Sequence, residues 1–246
     1  MKRYGLIGYP LSHSFSQRYF TEKFTRESIA GAVYENFSIP QIDGLKNILS
    51  QQQDLRGFNV TIPYKKEVLA FLSSSSPVVK AMGACNCVKI ENGKLIGHNT
   101  DVVGFEQSLL PYLKPHHRAA LILGTGGAAA AVAYVLNKRQ ISFQYVSRKK
   151  SATSLSYEEL DEQVMKTHSL IINTTPLGMS PRVNEYPPIP YEWINQAQHC
   201  FDLIYNPAET LFLQKAKAAG ASIQNGAEML VIQAEESWRI WNADEY

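Results

Sequence analysis

Ala119-Ala120-Leu121-Ile122-Leu123-Gly124-Thr125-Gly126-Gly127-Ala128-Ala129 is the stretch on which the fold turns. Five apolar residues predict a buried strand, and the small-residue run Ala130-Ala131-Val132-Ala133 predicts a helix continuing to Lys138. Between them lies a glycine-rich turn. Gly124 suits the tight turn, Gly126 lets the backbone approach a pyrophosphate, and Ala129 is small enough for close helix packing. The helix is expected to start at Ala128, just after Gly127, and its unpaired N–H groups and positive dipole end favour phosphate. A strand, glycine turn and helix inside a βα alternation predict a Rossmann-like, doubly wound dinucleotide-binding domain.

Downstream, further strands are expected at Ser142–Val146, Ser169–Asn173, Cys200–Ile204 and Ser222–Gln224, with a helix at Glu209–Ala219. An NAD enzyme places a carboxylate about 20 residues after the fingerprint, for the ribose 2′-hydroxyl. Here the second strand instead ends in Ser147-Arg148-Lys149-Lys150. Ser147 can hydrogen bond a phosphate oxygen, Arg148 can grip phosphate or stack on adenine, and Lys149 adds charge, so NADP is the expected cofactor.

Pro111 and Pro115 punctuate the chain before this domain. Upstream, strands are expected at Arg3–Gly8, Val33–Ile39, Gly57–Thr61 and Asn86–Ile90, the last turning back through Asn92-Gly93 into Leu95-Ile96-Gly97. Helical intervals are Ser16–Glu27, Asp43–Gln52, Lys65–Leu72 and Val102–Leu110, while Ser73–Ser76 reads as a polar loop. The expected organisation is α/β: residues 1–101 as a substrate-binding catalytic domain and 102–224 as the NADP domain. Residues 225–246 should form a C-terminal helix returning to the first.

The length of 246 residues is where single cores stop growing, which favours two domains. With 24 basic and 22 acidic side chains mixed along the chain, no single-sign field invites nucleic acid or a membrane surface, and a small-molecule partner is expected. No run is long and apolar enough to span a bilayer. The amino terminus meets Gly8 and Pro10 before a signal region can form. Three cysteines cannot all pair internally, which fits a soluble protein of the reducing cytoplasm. Cys85 and Cys87, two apart on one expected strand, read as small apolar packing on the same side. The six histidines form no spaced ligand motif, so no metal is expected.

Two polar segments stand near expected strand ends, where α/β sheets bind ligands. Asn59-Val60-Thr61-Ile62-Pro63-Tyr64-Lys65 directs Asn59 and Thr61 to one side and starts a helix at Lys65. His98-Asn99-Thr100-Asp101 leads into the next helix. Lys65 and Asp101 make a plausible acid/base pair, although each alone also reads as a solvated helix residue or a helix cap.

With Gly8-Tyr9-Pro10-Leu11-Ser12-His13-Ser14-Phe15-Ser16, Gly83-Ala84-Cys85-Asn86-Cys87 and Asn225-Gly226-Ala227-Glu228-Met229-Leu230-Val231-Ile232-Gln233, these segments resemble, in order and spacing, the substrate motifs of shikimate dehydrogenases. Asn173-Thr174-Thr175-Pro176 and Asp202-Leu203-Ile204-Tyr205-Asn206-Pro207 extend the resemblance over nearly the whole chain. The resemblance implies NADPH-dependent, reversible reduction of 3-dehydroshikimate to shikimate by a monomer or homodimer. It implies Lys65 and Asp101 as the catalytic pair, Ser14 and Ser16 on the substrate carboxylate, and Asn59, Thr61, Asn86 and Gln233 on its hydroxyls. Asn173, Thr174 and Thr175 would pass beneath the nicotinamide and Tyr205 would reach the substrate. Cys87 replaces the family's usual threonine, and Ser147-Arg148-Lys149 its more common Asn-Arg-Thr. A broader quinate/shikimate dehydrogenase and a catalytically silent NADP-binding regulator are the alternatives, the latter disfavoured by retention of Lys65 and Asp101.

Overall fold

A computed structural model describes residues 1–11 and 15–243. The chain divides into two compact units, Met1–Val103 with Val231–Tyr246, and Gly104–Leu230.

The first unit is built from β1 (Lys2–Gly8), α1 (Phe15–Arg26), β2 (Ala32–Ser38), α2 (Gly44–Gln51), β3 (Leu55–Val60), β4 (Ser74–Ser75), α3 (Pro77–Met82), β5 (Cys87–Glu91) and β6 (Lys94–His98). The sheet runs β2-β1-β3-β5-β6-β4. The βα repeats make β1, β2 and β3 parallel, whereas the β5–β6 hairpin enters antiparallel. Asn92 and Gly93 turn that hairpin with φ of 51° and 73°, the positive values a two-residue turn demands. Alternation along the strands separates two cores. Ile7, Phe58 and Val60 pack with Leu45 of α2, while Tyr4 and Leu6 pack on the other face with Phe20 and Phe24 of α1. The end of the chain seals that second face. Trp241 stacks on Tyr4 at 5.0 Å between ring centroids and donates its indole N–H to the Val88 carbonyl at 3.0 Å.

Local expectations change where distant groups intervene. The Lys65 carbonyl accepts from the Cys85 N–H at 2.8 Å, so it is unavailable to a helical ladder. Lys65 consequently lies in a turn, and only Glu67–Phe71 coil, as a 3-10 helix. The expected Ser73–Ser76 loop holds β4, and Ser76 caps α3 by accepting the Val79 N–H. Cys85 and Cys87 do not share a side. β5 begins at Cys87, so two-residue alternation never reaches Cys85, and the two thiols lie in different cores.

Helix α4 (Asp101–Leu109) leads into the second unit, which contains β7 (Ala119–Leu123), α5 (Gly127–Lys138), β8 (Ser142–Ser147), β9 (Ser154–Ser156), α6 (Glu162–Thr167), β10 (Leu170–Asn173), β11 (His199–Asp202), α7 (Leu211–Ala218) and β12 (Ser222–Gln224), before α8 (Ala227–Asn242). Its strands are all parallel in the order β12-β11-β10-β7-β8-β9. This is the doubly wound arrangement, reversing between β7 and β10, where such sheets bind ligands beyond the carboxyl ends of the strands. Leu121, Leu123, Ile171 and Cys200 are fully buried on one of its faces. Among the described residues no helix is long and apolar enough to cross a membrane.

Candidate functional site

In the first unit, the turn after β3 and the first turn of α4 bring Lys65 and Asp101 together. Lys65 Nζ donates to Asp101 Oδ2 at 2.6 Å, with side-chain exposures of 23% and 9%. Asp101 does not cap its own helix in this arrangement. Asn99 Oδ1 accepts the Val102 N–H at 3.4 Å, which leaves the Asp101 carboxylate to pair with Lys65 beside the positive end of α4. The half-shielded ammonium keeps two further N–H bonds for a ligand oxygen.

Around this pair lies a neutral polar set. Asn86 Oδ1 accepts the Thr100 N–H at 2.7 Å, and Asn86 Nδ2 donates to Thr100 Oγ1 at 3.1 Å and to Gln233 Oε1 at 3.3 Å. Gln233 thereby has its amide orientation set, with Nε2 turned from Asn86 and able to donate. The Tyr34 hydroxyl donates to Asn59 Oδ1 at 2.9 Å, and Asn59 Nδ2 donates to the Asn86 carbonyl at 3.2 Å. Burial pushes the Tyr34 phenol well above its usual range, partly offset by a hydrogen bond with Ser16, so it stays a neutral donor. Thr61 lies beyond the end of β3, where its N–H continues to the Ile7 carbonyl at 2.9 Å. Its methyl would stand 2.5 Å from a Cβ on Gly8, so glycine there permits the close approach.

Thus Ser16, Asn59, Thr61, Lys65, Asn86, Asp101 and Gln233 belong to one unit. Ser14 lies outside the described residues. Tyr205, in the loop after β11, belongs to the second unit and is 38% exposed. Tyr34, Thr100 and Ser237 join the network without having been singled out from the sequence. Only Ser237 carried a local signal, four residues after Gln233 on the same helical face.

The second unit presents the glycine turn at the β7–β10 reversal. Gly124 has φ +105°, and a Cβ on it would lie 2.8 Å from Thr174 Oγ1. Only glycine fits there. A Cβ on Gly126 or Gly127 would meet nothing within 4 Å. That open approach leads to the start of α5, where Gly126 offers no side-chain cap to the free N–H groups. Ala128 follows at the opening of the helix, and Ala129 is buried at 1% exposure, the close-packed third position. The donors and space fit a dinucleotide pyrophosphate.

Two of the expected contact residues also make bonds within their own loops. The Ser147 hydroxyl donates to the Lys149 carbonyl at 2.6 Å, so its proton shapes the loop; Arg148 and Lys149 remain exposed beside it. Asn173 is fully buried, its amide spent on Asp202 Oδ1 at 3.1 Å and on the Thr175 N–H and hydroxyl at 3.0 and 2.7 Å. It holds the loop that presents Thr174 and Thr175. Thr174 Oγ1 in turn donates to the Leu123 carbonyl at 2.7 Å. Desolvation raises the Asp202 carboxyl to about 6, against hydrogen bonds from Thr210, the Ile204 N–H and Asn173.

Residues 6–88 match the shikimate dehydrogenase substrate binding domain family. The chain is 36% identical to a shikimate dehydrogenase (NADP(+)) of Methanococcus vannielii, over 96% of its own length and 90% of the relative's. A shikimate 5-dehydrogenase of Thermus thermophilus, solved in complex with NADP(H) and shikimate, superposes with a TM-score of 0.85 at 30% identity. That match covers 98% of this chain and 94% of the other. A quinate dehydrogenase of Corynebacterium glutamicum in complex with NAD reaches 0.86 at 26% identity, covering 98% and 93%.

Proposed function

The chain belongs to the shikimate dehydrogenase family, and from that premise we propose that it catalyses the reversible NADPH-dependent reduction of 3-dehydroshikimate to shikimate. The observation that carries the chemistry is the Lys65–Asp101 pair at 2.6 Å, set in a neutral hydrogen-bonding surface. Bound NADPH supplies the hydride to the ring carbonyl carbon. The Lys65 ammonium gives its proton to the carbonyl oxygen as the C–O π bond becomes a hydroxyl, and the resulting amine regains a proton from solvent. Asp101 holds Lys65 in place and accepts from a substrate hydroxyl.

Asn59, Thr61, Asn86 and Gln233 bind the remaining hydroxyls, and Ser14 and Ser16 donate to the substrate carboxylate. A neutral site of this kind avoids a buried arginine that would require its own counter-charge. In the second unit Gly124, Gly126, Gly127 and Ala128 receive the pyrophosphate, Thr174 and Thr175 border the same turn, and Arg148 with Lys149 takes the 2′-phosphate. Ser147 and Asn173 support these groups through the loop bonds they make. A reducing, cytoplasmic location is part of the same reading, supported by three unpaired, buried cysteines. As for assembly, we retain a monomer or homodimer.

The test follows the absorbance of reduced nicotinamide with purified protein, pairing shikimate and quinate each with NADP and NAD. Turnover fastest with shikimate and NADP supports the assignment. Preference for quinate, or no turnover with any pair, refutes it.

A further inference from the structure

Ser237 lies one turn after Gln233 on α8 and is fully buried. Its hydroxyl donates to the Gln233 carbonyl at 2.8 Å, so its oxygen is left to accept. Asn59 Nδ2 donates to that oxygen at 2.9 Å, and Thr100 Oγ1 lies 3.3 Å from it. Three segments distant in sequence therefore meet on one hydroxyl.

The Asn59 amide can stand only one way round. Nδ2 faces the Asn86 carbonyl at 3.2 Å, where a flipped amide would set two oxygens against each other. Both Asn59 N–H bonds are thus committed, one to the Asn86 carbonyl and one to Ser237. Oδ1, already accepting from Tyr34, keeps its second lone pair for a ligand. Without an acceptor at position 237, one buried N–H would lose its partner and the amide its fixed orientation.

We infer that Ser237 is a positioning residue for substrate binding, fixing Asn59 as a hydroxyl acceptor and, through Thr100, steadying the Asn86 amide that orients Gln233. The inference rests on shikimate being the substrate. Ser237 acts through these neighbours and touches none of the reacting atoms.

A compensating variant separates positioning from packing. Cys87 stands directly opposite Asn59 in the antiparallel β3–β5 register, and its buried thiol lies beside Ser237. A threonine at 87 would place a hydroxyl acceptor beside the same Asn59 N–H from the neighbouring strand.

The experiment is steady-state kinetics of the full chain with shikimate and NADP, accompanied by thermal melts and calorimetric titration with shikimate. Ser237→Ala should raise the Michaelis constant for shikimate by about tenfold, the scale of one lost buried hydrogen bond. Turnover should stay within about twofold and the NADP constant should not move, the pattern of lost uniform binding. Cys87→Thr added to Ser237→Ala should recover most of the shikimate affinity. If Ser237→Ala does not fold, Ser237→Cys, which keeps the shape with a weaker acceptor, should show the same selective loss in smaller measure. An unchanged shikimate constant in a folded variant overturns the role of Ser237, as does a loss shared equally by shikimate and NADP. A wild-type chain that turns over no shikimate refutes the activity itself and this inference with it.

Discussion

Lys65 Nζ and Asp101 Oδ2 are 2.6 Å apart although 36 residues separate them in sequence, and the lysine donating that bond lies in an irregular turn outside any helix. The turn is held by the Cys85 N–H on the Lys65 carbonyl, so the ammonium is fixed at both its backbone and its tip. Lys65→Ala should lower turnover by roughly two to four orders of magnitude, the scale of a positioned acid/base group. Asp101→Asn should also be slow, and the double variant should lose far less than the product of the two, because both act on one proton. Single-turnover rates of the three variants, alongside circular dichroism to confirm folding, measure this. Independent, multiplying losses would show that the two residues serve different steps.

Arg148 is exposed on the loop that Ser147 shapes after β8. Arg148→Ala should weaken NADP about tenfold or more while NAD changes little, since only NADP carries the 2′-phosphate that a charged fork grips. Dissociation constants for both nucleotides, at low and at physiological salt, provide the comparison. Equal weakening would reduce Arg148 to a stacking platform for adenine.

How much of this could be read from the chain depends on how local each requirement was. The β7–Gly124–α5 unit is legible because a tight turn, an open backbone and a small helix residue are all demanded within eleven consecutive positions. Lys65 and Asp101 were legible as residue types near expected strand ends, but the turn at Lys65 was not, because its cause is an N–H twenty residues away at Cys85. Ser237 showed only its helical spacing from Gln233, and its role was illegible for the same reason, its partners lying at positions 59 and 100. Ser147 and Asn173 show the converse. Their polar side chains were legible as candidate ligand contacts, but the bonds by which they also satisfy their own loops and buried neighbours were not.

Gly57 makes the packing of the last helix testable. A Cβ on it would stand 2.2 Å from Trp241 Cδ1, and the ring is held by its bond to the Val88 carbonyl. Gly57→Ala must displace the indole, which should cost about 1–3 kcal/mol as overpacking. Because α8 also carries Gln233 and Ser237, the Michaelis constant for shikimate should rise together with the loss of stability. Urea unfolding and kinetics on one preparation check both, and a variant with wild-type stability would show that Trp241 can move freely.

The second unit should carry two opposed pH dependences from neighbouring parts of its sheet. His199 is fully buried, with its ring nitrogens bonded to Ser222 Oγ at 2.9 Å and Gln224 Oε1 at 3.1 Å. Burial first, and then the nearby His117 and Lys114, depress it to about 4, against a hydrogen bond to Gln224 that raises it. The unfolded imidazole titrates near 6.5, so the unfolded state binds the proton more readily. The contribution of His199 is complete above that value and is lost as pH falls toward 4. His117, also depressed by burial, adds in the same direction. Asp202 runs the other way. Raised to about 6 by burial, it binds a proton more readily when folded, so its contribution is present below the unfolded value near 3.9 and is lost as pH rises through 6. Each group contributes at most about 1.4 kcal/mol per pH unit inside its window, and between about 4 and 6 the two slopes offset one another. His199→Gln should therefore leave a unit that grows more stable, relative to wild type, as pH falls from 6.5 to 4.5. Asp202→Asn should leave one that grows less stable over the same range. Urea midpoints at several pH values read the slopes directly, even if each substitution also costs a constant amount through lost hydrogen bonds. Variants that parallel the wild-type curve would mean that neither group changes its affinity for protons on folding.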